Sequence, residues 1–86
     1  MEPERITFPT EYPIKVVARA SPELRALVDT VFSHHFGVIS PENVTERASA
    51  QSNFVALTYV VMAQNEAQLA SLHVDLKLLD DVMMVL

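Results

Sequence analysis

The chain has 86 residues, which is one domain, and half of them are hydrophobic, so a core is available without covalent staples. It has no cysteine, which excludes a disulfide framework, a thiolate metal site and a cysteine nucleophile together. Eleven acids stand against six bases for a formal charge of −5, and the bases Arg5, Lys15, Arg19, Arg25, Arg47 and Lys77 are scattered along the chain, a balance that opposes nucleic acid and anionic membrane surfaces as partners.

The start, Met1-Glu2-Pro3-Glu4-Arg5, is acidic and polar, without the basic lead and apolar run of a secretory signal. No window approaches the roughly 20 apolar residues of a membrane span. A soluble cytoplasmic protein is the expectation. Residues 1–11, with Pro3, Pro9 and three glutamates, are expected to form an N-terminal arm, and residues 12–86 a single domain.

Residues 12–20 read as a strand of period two. Ile14, Val16, Ala18 and Ala20 share one face, and Lys15, Val17 and Arg19 share the other. Pro13 allows a strand to begin near Tyr12 but not to be paired at that residue. Ser21-Pro22-Glu23 reads as a helix start: Ser21 to cap, Pro22 at the first helical position, and Glu23 at the positive end of the dipole. Leu24, Leu27, Val28, Val31, Phe32 and His35 then recur at steps of three and four, so a helix over 22–36 is expected. Gly37, the only glycine in the chain, stands where a left-handed cap is needed.

Pro41 breaks regularity, and Val44-Thr45-Glu46-Arg47-Ala48 reads as a short polar edge strand. The next segment, 54–63, is the strongest strand in the chain. Leu57, Tyr59, Val61 and Ala63 lie on one face, and Phe54, Ala56, Thr58, Val60 and Met62 on the other. Asn65 caps a second helix and Gln68 completes a capping-box spacing. Leu69, Leu72, Leu76 and Leu79 form its stripe, Asp80-Asp81 ends it, and residues 82–86 form a last strand. The order is β-α-β-β-α-β. Two right-handed crossovers interleave into a ferredoxin-like α+β sandwich, a four-stranded antiparallel sheet with both helices on one face.

Phe8-Pro9-Thr10, Tyr12, Lys15-Val16, Ala20 and Pro22-Glu23-Leu24, then His35, Leu72, Leu76, Val82 and the ending Met84-Val85-Leu86, resemble the YbeD-like small bacterial proteins, classed as domain of unknown function 493. The resemblance covers about residues 8–86 and is weakest over 37–53. It implies a ferredoxin-like fold similar to regulatory ACT domains, with no established activity, and a genetic setting often beside lipoate-attachment genes. ACT domains bind amino acids at the turn between the first strand and the first helix, usually through a glycine. Here that turn holds Ser21, Pro22 and Glu23, the candidate ligand turn, and Glu23 stands where the glycine would be. An acid there repels a ligand carboxylate.

Other chemistry reads weakly. His34 and His35 point about 100° apart on a regular helix, so they do not face one metal together. Asp80 and Asp81 lack the further oxygen ligands of a hard-cation site. Neither Ser21, Ser33 nor Ser40 has an evident base and orienting group. No phosphate loop exists with one glycine. The expectation is therefore no enzyme, no metal and no cofactor. RNA-recognition domains share this topology and stack bases on sheet aromatics beside basic residues. Phe54 faces the right way, but its strand has no Lys or Arg.

The outer sheet face remains. A sheet with helices on one side usually shows water a polar surface, yet Val17, Phe54, Ala56, Val60 and Met62, with Thr58 among them, would face out. These six are the candidate interface. The reading is a non-catalytic interaction or regulatory module acting through that face, with a protein partner or a second copy. A small-ligand sensor of ACT type, for an amino acid or a lipoate-related acid, is the alternative. So is cover of the face by the arm through Ile6, Phe8 and Tyr12.

Overall fold

The computed structural model describes residues 7–51 and 53–86. The element order is β1 Thr10–Arg19, α1 Leu24–Phe36, a 3-10 turn at Pro41–Asn43, β2 Val44–Ala48, β3 Phe54–Ala63, α2 Glu66–Lys77 and β4 Val82–Val85. The four strands form one antiparallel sheet in the order β2-β3-β1-β4, with the two longest strands central. This is the β-α-β-β-α-β arrangement that the chain's periodicities imply.

Strand β1 starts at Thr10, inside the stretch read as an arm, and includes Pro13 opposite Val60. The reason lies in which way each amide points. Lys15 exchanges both backbone hydrogen bonds with Leu86, so odd-numbered amides of β1 point toward β4. The Lys15–Leu86 pair is the last on that side, where β4 runs out, so at Pro13 the missing N–H removes no ladder bond.

The alternation places Ile14, Val16 and Ala18 of β1, and Val55, Leu57, Tyr59 and Val61 of β3, under the helices, all buried. Leu24, Val28 and Phe32 of α1 and Leu72 and Leu76 of α2 close the core from above. Phe32 stacks flat on Tyr59, ring centroids 3.9 Å apart and planes 9° from parallel.

Helix α1 begins at Leu24 and not at Pro22. Ser21 does not cap it through its side chain. Its carbonyl instead accepts from Leu24 N–H at 3.3 Å, closing a turn over 21–24. At the other end Gly37 takes φ 77° and donates its N–H to Ser33 at 2.9 Å. A side chain resists that backbone conformation. Asn65 caps α2 as its spacing implies, accepting from Gln68 N–H at 2.8 Å. The return bond runs one residue earlier than a capping box requires, from Gln64 N–H to Gln68 Oε1 at 2.8 Å. Gln68 also donates to the His35 carbonyl at 2.9 Å, and His35 Nε2 meets Asp75 Oδ2 at 2.6 Å. These two contacts join the helices, so His35 has a structural partner in α2.

Candidate functional site

The helices cover one face of the sheet and leave the other open. Strand register fixes what the open face carries. Val17 lies between Ala56 on β3 and Met84 on β4, and Ala56 lies beside Arg47 on β2. The next row is Lys15, Thr58 and Thr45, and beyond it Pro13 stands opposite Val60 and Glu11 opposite Met62. At the other end Arg19 stands opposite Phe54. All six candidate interface residues, Val17, Phe54, Ala56, Thr58, Val60 and Met62, thus share the open face. Phe54 is 42% exposed, Met62 50% and Met84 48%. Met84 belongs to the same surface. It escapes a period-two reading of its own strand because the β1–β4 register shifts between Val17 and Ala18.

Three of the six bases, far apart in sequence, meet in space. Lys15, Arg19 and Arg47 all stand on the open face, with Glu11 its one acid among the described strand residues. Arg19 leans to the β4 turn, 3.7 Å from Asp81 and 3.2 Å from the Asp80 carbonyl, which gives that acidic pair a structural use. Lys15 and Arg47 enter no ion pair among the described residues. A shallow depression of about 210 Å³ opens here, floored by Ala56 and flanked by Val17, Phe54 and Arg47.

Tyr12, one of the residues read as a possible cover for the open face, points the other way. It stands opposite Val61 and packs against the core beside α2, where it lines a groove with Leu69 and His73. Ile6 lies outside the described residues. Phe8 is two positions from Thr10, about 7 Å of extended chain. Phe54 stands opposite Arg19 at the far end of β1, about 30 Å away. Phe8 therefore does not reach the Phe54 end of the face.

A second feature adjoins the candidate ligand turn. A cavity of about 160 Å³ lies between the start of α1 and β2, lined by Ser21, Leu24, Arg25, Glu46, Ala48 and Leu57 among others. Of the three turn residues only Ser21 lines it, while Pro22 and Glu23 are exposed on the outside. Arg25 Nε donates to both carboxylate oxygens of Asp29, at 3.1 and 3.2 Å, and Arg25 Nη1 reaches Glu46 at 3.3 Å. The hydroxyl of the buried Tyr59 donates to the same Asp29. Burial pushes the Tyr59 hydroxyl well above the ordinary tyrosine range, and the bond to Asp29 raises it further. Its bond to Asp29 likewise raises Arg25. No single stretch of sequence carries this cluster. Only Arg25 and Asp29, spaced by four on one helix, are visible as a pair.

His34 and His35 sit edge to face on α1, centroids 5.3 Å apart, and His73 lines the groove beside α2. Among the described residues no three acids or histidines gather where they could hold a metal ion, and no helix is long and apolar enough to cross a membrane.

The fold defined by this sheet and helix pair is an ACT-like ferredoxin fold. It superposes on the ACT domain of a GTP pyrophosphokinase from Chlorobium tepidum with a TM-score of 0.66 at 19% identity, over 90% of this chain and 97% of that one. The sequence resolves the family. Residues 3–86 match the model described as "Protein of unknown function (DUF493)", and the chain belongs to that family. Similar relatives are the UPF0250 protein of Ectopseudomonas mendocina, 34% identical over 100% of this chain and 95% of its own length, and that of Hahella chejuensis, 31% identical over 99% and 93%.

Proposed function

We propose that the chain is a non-catalytic interaction or regulatory module that acts through the open face of its sheet. The observation that carries this reading is the row Phe54, Val17, Ala56, Val60, Met62 and Met84 on a face that no helix covers. Exposed apolar surface of this contiguity on a small domain marks a contact site. The occupant is a protein partner or a second copy of the chain. The test pairs light scattering on a size-exclusion peak with affinity capture, each done on the parent and on a Phe54→Asp, Met62→Asp variant. Self-association or capture of a defined protein should vanish in a variant that still melts like the parent. Identical behaviour of the two chains would end the reading.

The cavity at the start of α1 favours a second reading, a small-ligand sensor for an amino acid or a lipoate-like acid. Its support is the joint presence of a guanidinium, a carboxylate and apolar walls beside Ser21. A ligand held only by the native chain at a hundred times its dissociation constant adds about 2.7 kcal/mol. A thermal-shift panel of amino acids and lipoate-like acids should then show a rise of several degrees for one class. A flat panel removes this reading.

A further inference from the structure

The open face has a charge that opposes that of the chain as a whole. The protein carries −5, yet this face gathers Lys15, Arg19 and Arg47 against Glu11 alone among its described strand residues. Two of the three bases, Lys15 and Arg47, have no carboxylate within ion-pair reach among the described residues, although an acidic chain offers many. They flank the apolar depression on the face. Arg47 rims the depression floored by Ala56 and walled by Phe54 and Val17, and Lys15 stands one row along on the same strand as Val17.

Resting on the interaction reading above, we infer that the occupant of this face is an acidic amphipathic segment of another protein. Its apolar side chain seats on Ala56 between Phe54 and Val17, and its carboxylates meet Arg47 and Lys15. Charge complementarity of this kind sets partner choice and speeds encounter. The pairing is possible because a guanidinium and an ammonium with no carboxylate partner among the described residues keep donors for an incoming carboxylate.

The same charges argue against the other occupants. A second copy placed by a two-fold axis on the Phe54 corner would bring Arg47 against Arg47, and an axis on the middle row would bring Lys15 against Lys15, because an isologous contact opposes each residue near the axis to itself. Like charges so juxtaposed are costly. A single-stranded nucleic acid would use the bases, but its bases need stacking platforms, and Phe54 is the one aromatic that the strands turn to this face.

The experiment is an amide-resolved NMR titration of the full chain with three probes. Two are synthetic amphipathic helical peptides with the same leucine stripe, one with glutamate and one with lysine on the polar side. The third is an oligouridine. The glutamate peptide should shift the amides of Lys15, Val17, Thr45, Arg47, Phe54 and Ala56, bind at least about tenfold tighter than the lysine peptide, and weaken as salt rises. A Lys15→Glu, Arg47→Glu chain should invert the order of the two peptides. If that chain fails to fold, Lys15→Gln, Arg47→Gln should abolish the preference while leaving the leucine contact.

Equal affinity for the two peptides at the face overturns the acidic partner and leaves the interface reading intact. So does a parent chain that is dimeric by light scattering and monomeric as Phe54→Asp, since the occupant is then a second copy. Shifts driven by oligouridine and not by the glutamate peptide overturn the inference in favour of nucleic acid. Silence of the face toward all three probes, in a monomeric chain, overturns the inference, while the interface reading still stands or falls on the capture comparison with the Phe54→Asp, Met62→Asp variant.

Discussion

Tyr59 is where the core of this domain meets its polar edge. Its ring stacks on Phe32 inside, and its hydroxyl emerges at Asp29, which Arg25 holds from the other side. Removing the hydroxyl in Tyr59→Phe keeps the stack and deletes one hydrogen bond to a charged acceptor. The expected loss is about 1.5–3 kcal/mol in urea unfolding at neutral pH. The alkaline limb gives the sharper test. The folded chain holds this proton above the ordinary range because burial disfavours the phenolate, while the unfolded chain releases it near pH ~10. The contribution is therefore fully present below that pH and is lost as pH rises through it, because the unfolded state gains by ionising and the folded state does not. Parent and Tyr59→Phe stabilities should converge and then cross above about pH 10. A constant gap would mean that the hydroxyl ionises freely in the fold. The residue scale was half legible. Arg25 and Asp29 lie four apart on one helix, but Tyr59 and Glu46 join them across 30 and 21 positions of chain, distances over which no local pattern speaks.

At the scale of elements, the strongest signals were those with one physical cause. The boundaries of β3 follow from ten residues of apolar and β-branched character, whereas β2, Val44-Thr45-Glu46-Arg47-Ala48, is a weaker signal because only Val44 and Thr45 in it favour a strand. Signals with two competing causes misled. Ser21 has the right chemistry for a cap, but its carbonyl closes a turn to Leu24 and its side chain is not used. Pro13 reads as a residue that a strand cannot pair, yet it stands opposite Val60 because its nitrogen points past the end of β4, a fact that depends on the neighbouring strand and not on the proline. The helix ends themselves can be tested. Gly37→Ala meets no neighbour within 4 Å, so its cost is that of a side chain at φ 77° and ψ −163°, a conformation outside the left-handed helical region and nearly confined to glycine, about 1–3 kcal/mol. Asn65→Ala removes the one side-chain cap of α2 and should cost about 1 kcal/mol. The sites are on different helices and share no partner, so the double variant should lose the sum of the two in denaturant midpoint. A clear departure from additivity would show that the two ends are coupled through the contacts of Gln68 and Asp75 with His35.

The molecule as a whole is a sheet with one face committed to folding and one left over. Neighbouring residues of β3 therefore face opposite sides of the sheet. Leu57 is 1% exposed under the helices, whereas Met62 and Phe54 on the open face are 50% and 42% exposed. If the open face exists to meet something else, its side chains contribute little to the stability of the isolated chain. Leu57→Ala should cost about 2–5 kcal/mol. That is a large share of the roughly 4–13 kcal/mol available to a domain of this length. Met62→Thr and Phe54→Thr should each stay within about 0.5–1 kcal/mol of the parent. Thermal melts of the three variants at low protein concentration separate the cases. A Met62→Thr or Phe54→Thr chain that falls as far as Leu57→Ala would mean that the open face is packed by part of the chain itself, and the interface reading would lose its ground. Threonine variants that fold like the parent and lose an interaction would place the energy of that face in recognition. The charge asymmetry between the faces then acquires its meaning: Lys15 and Arg47, which enter no ion pair among the described residues, stand where an acidic partner would meet them.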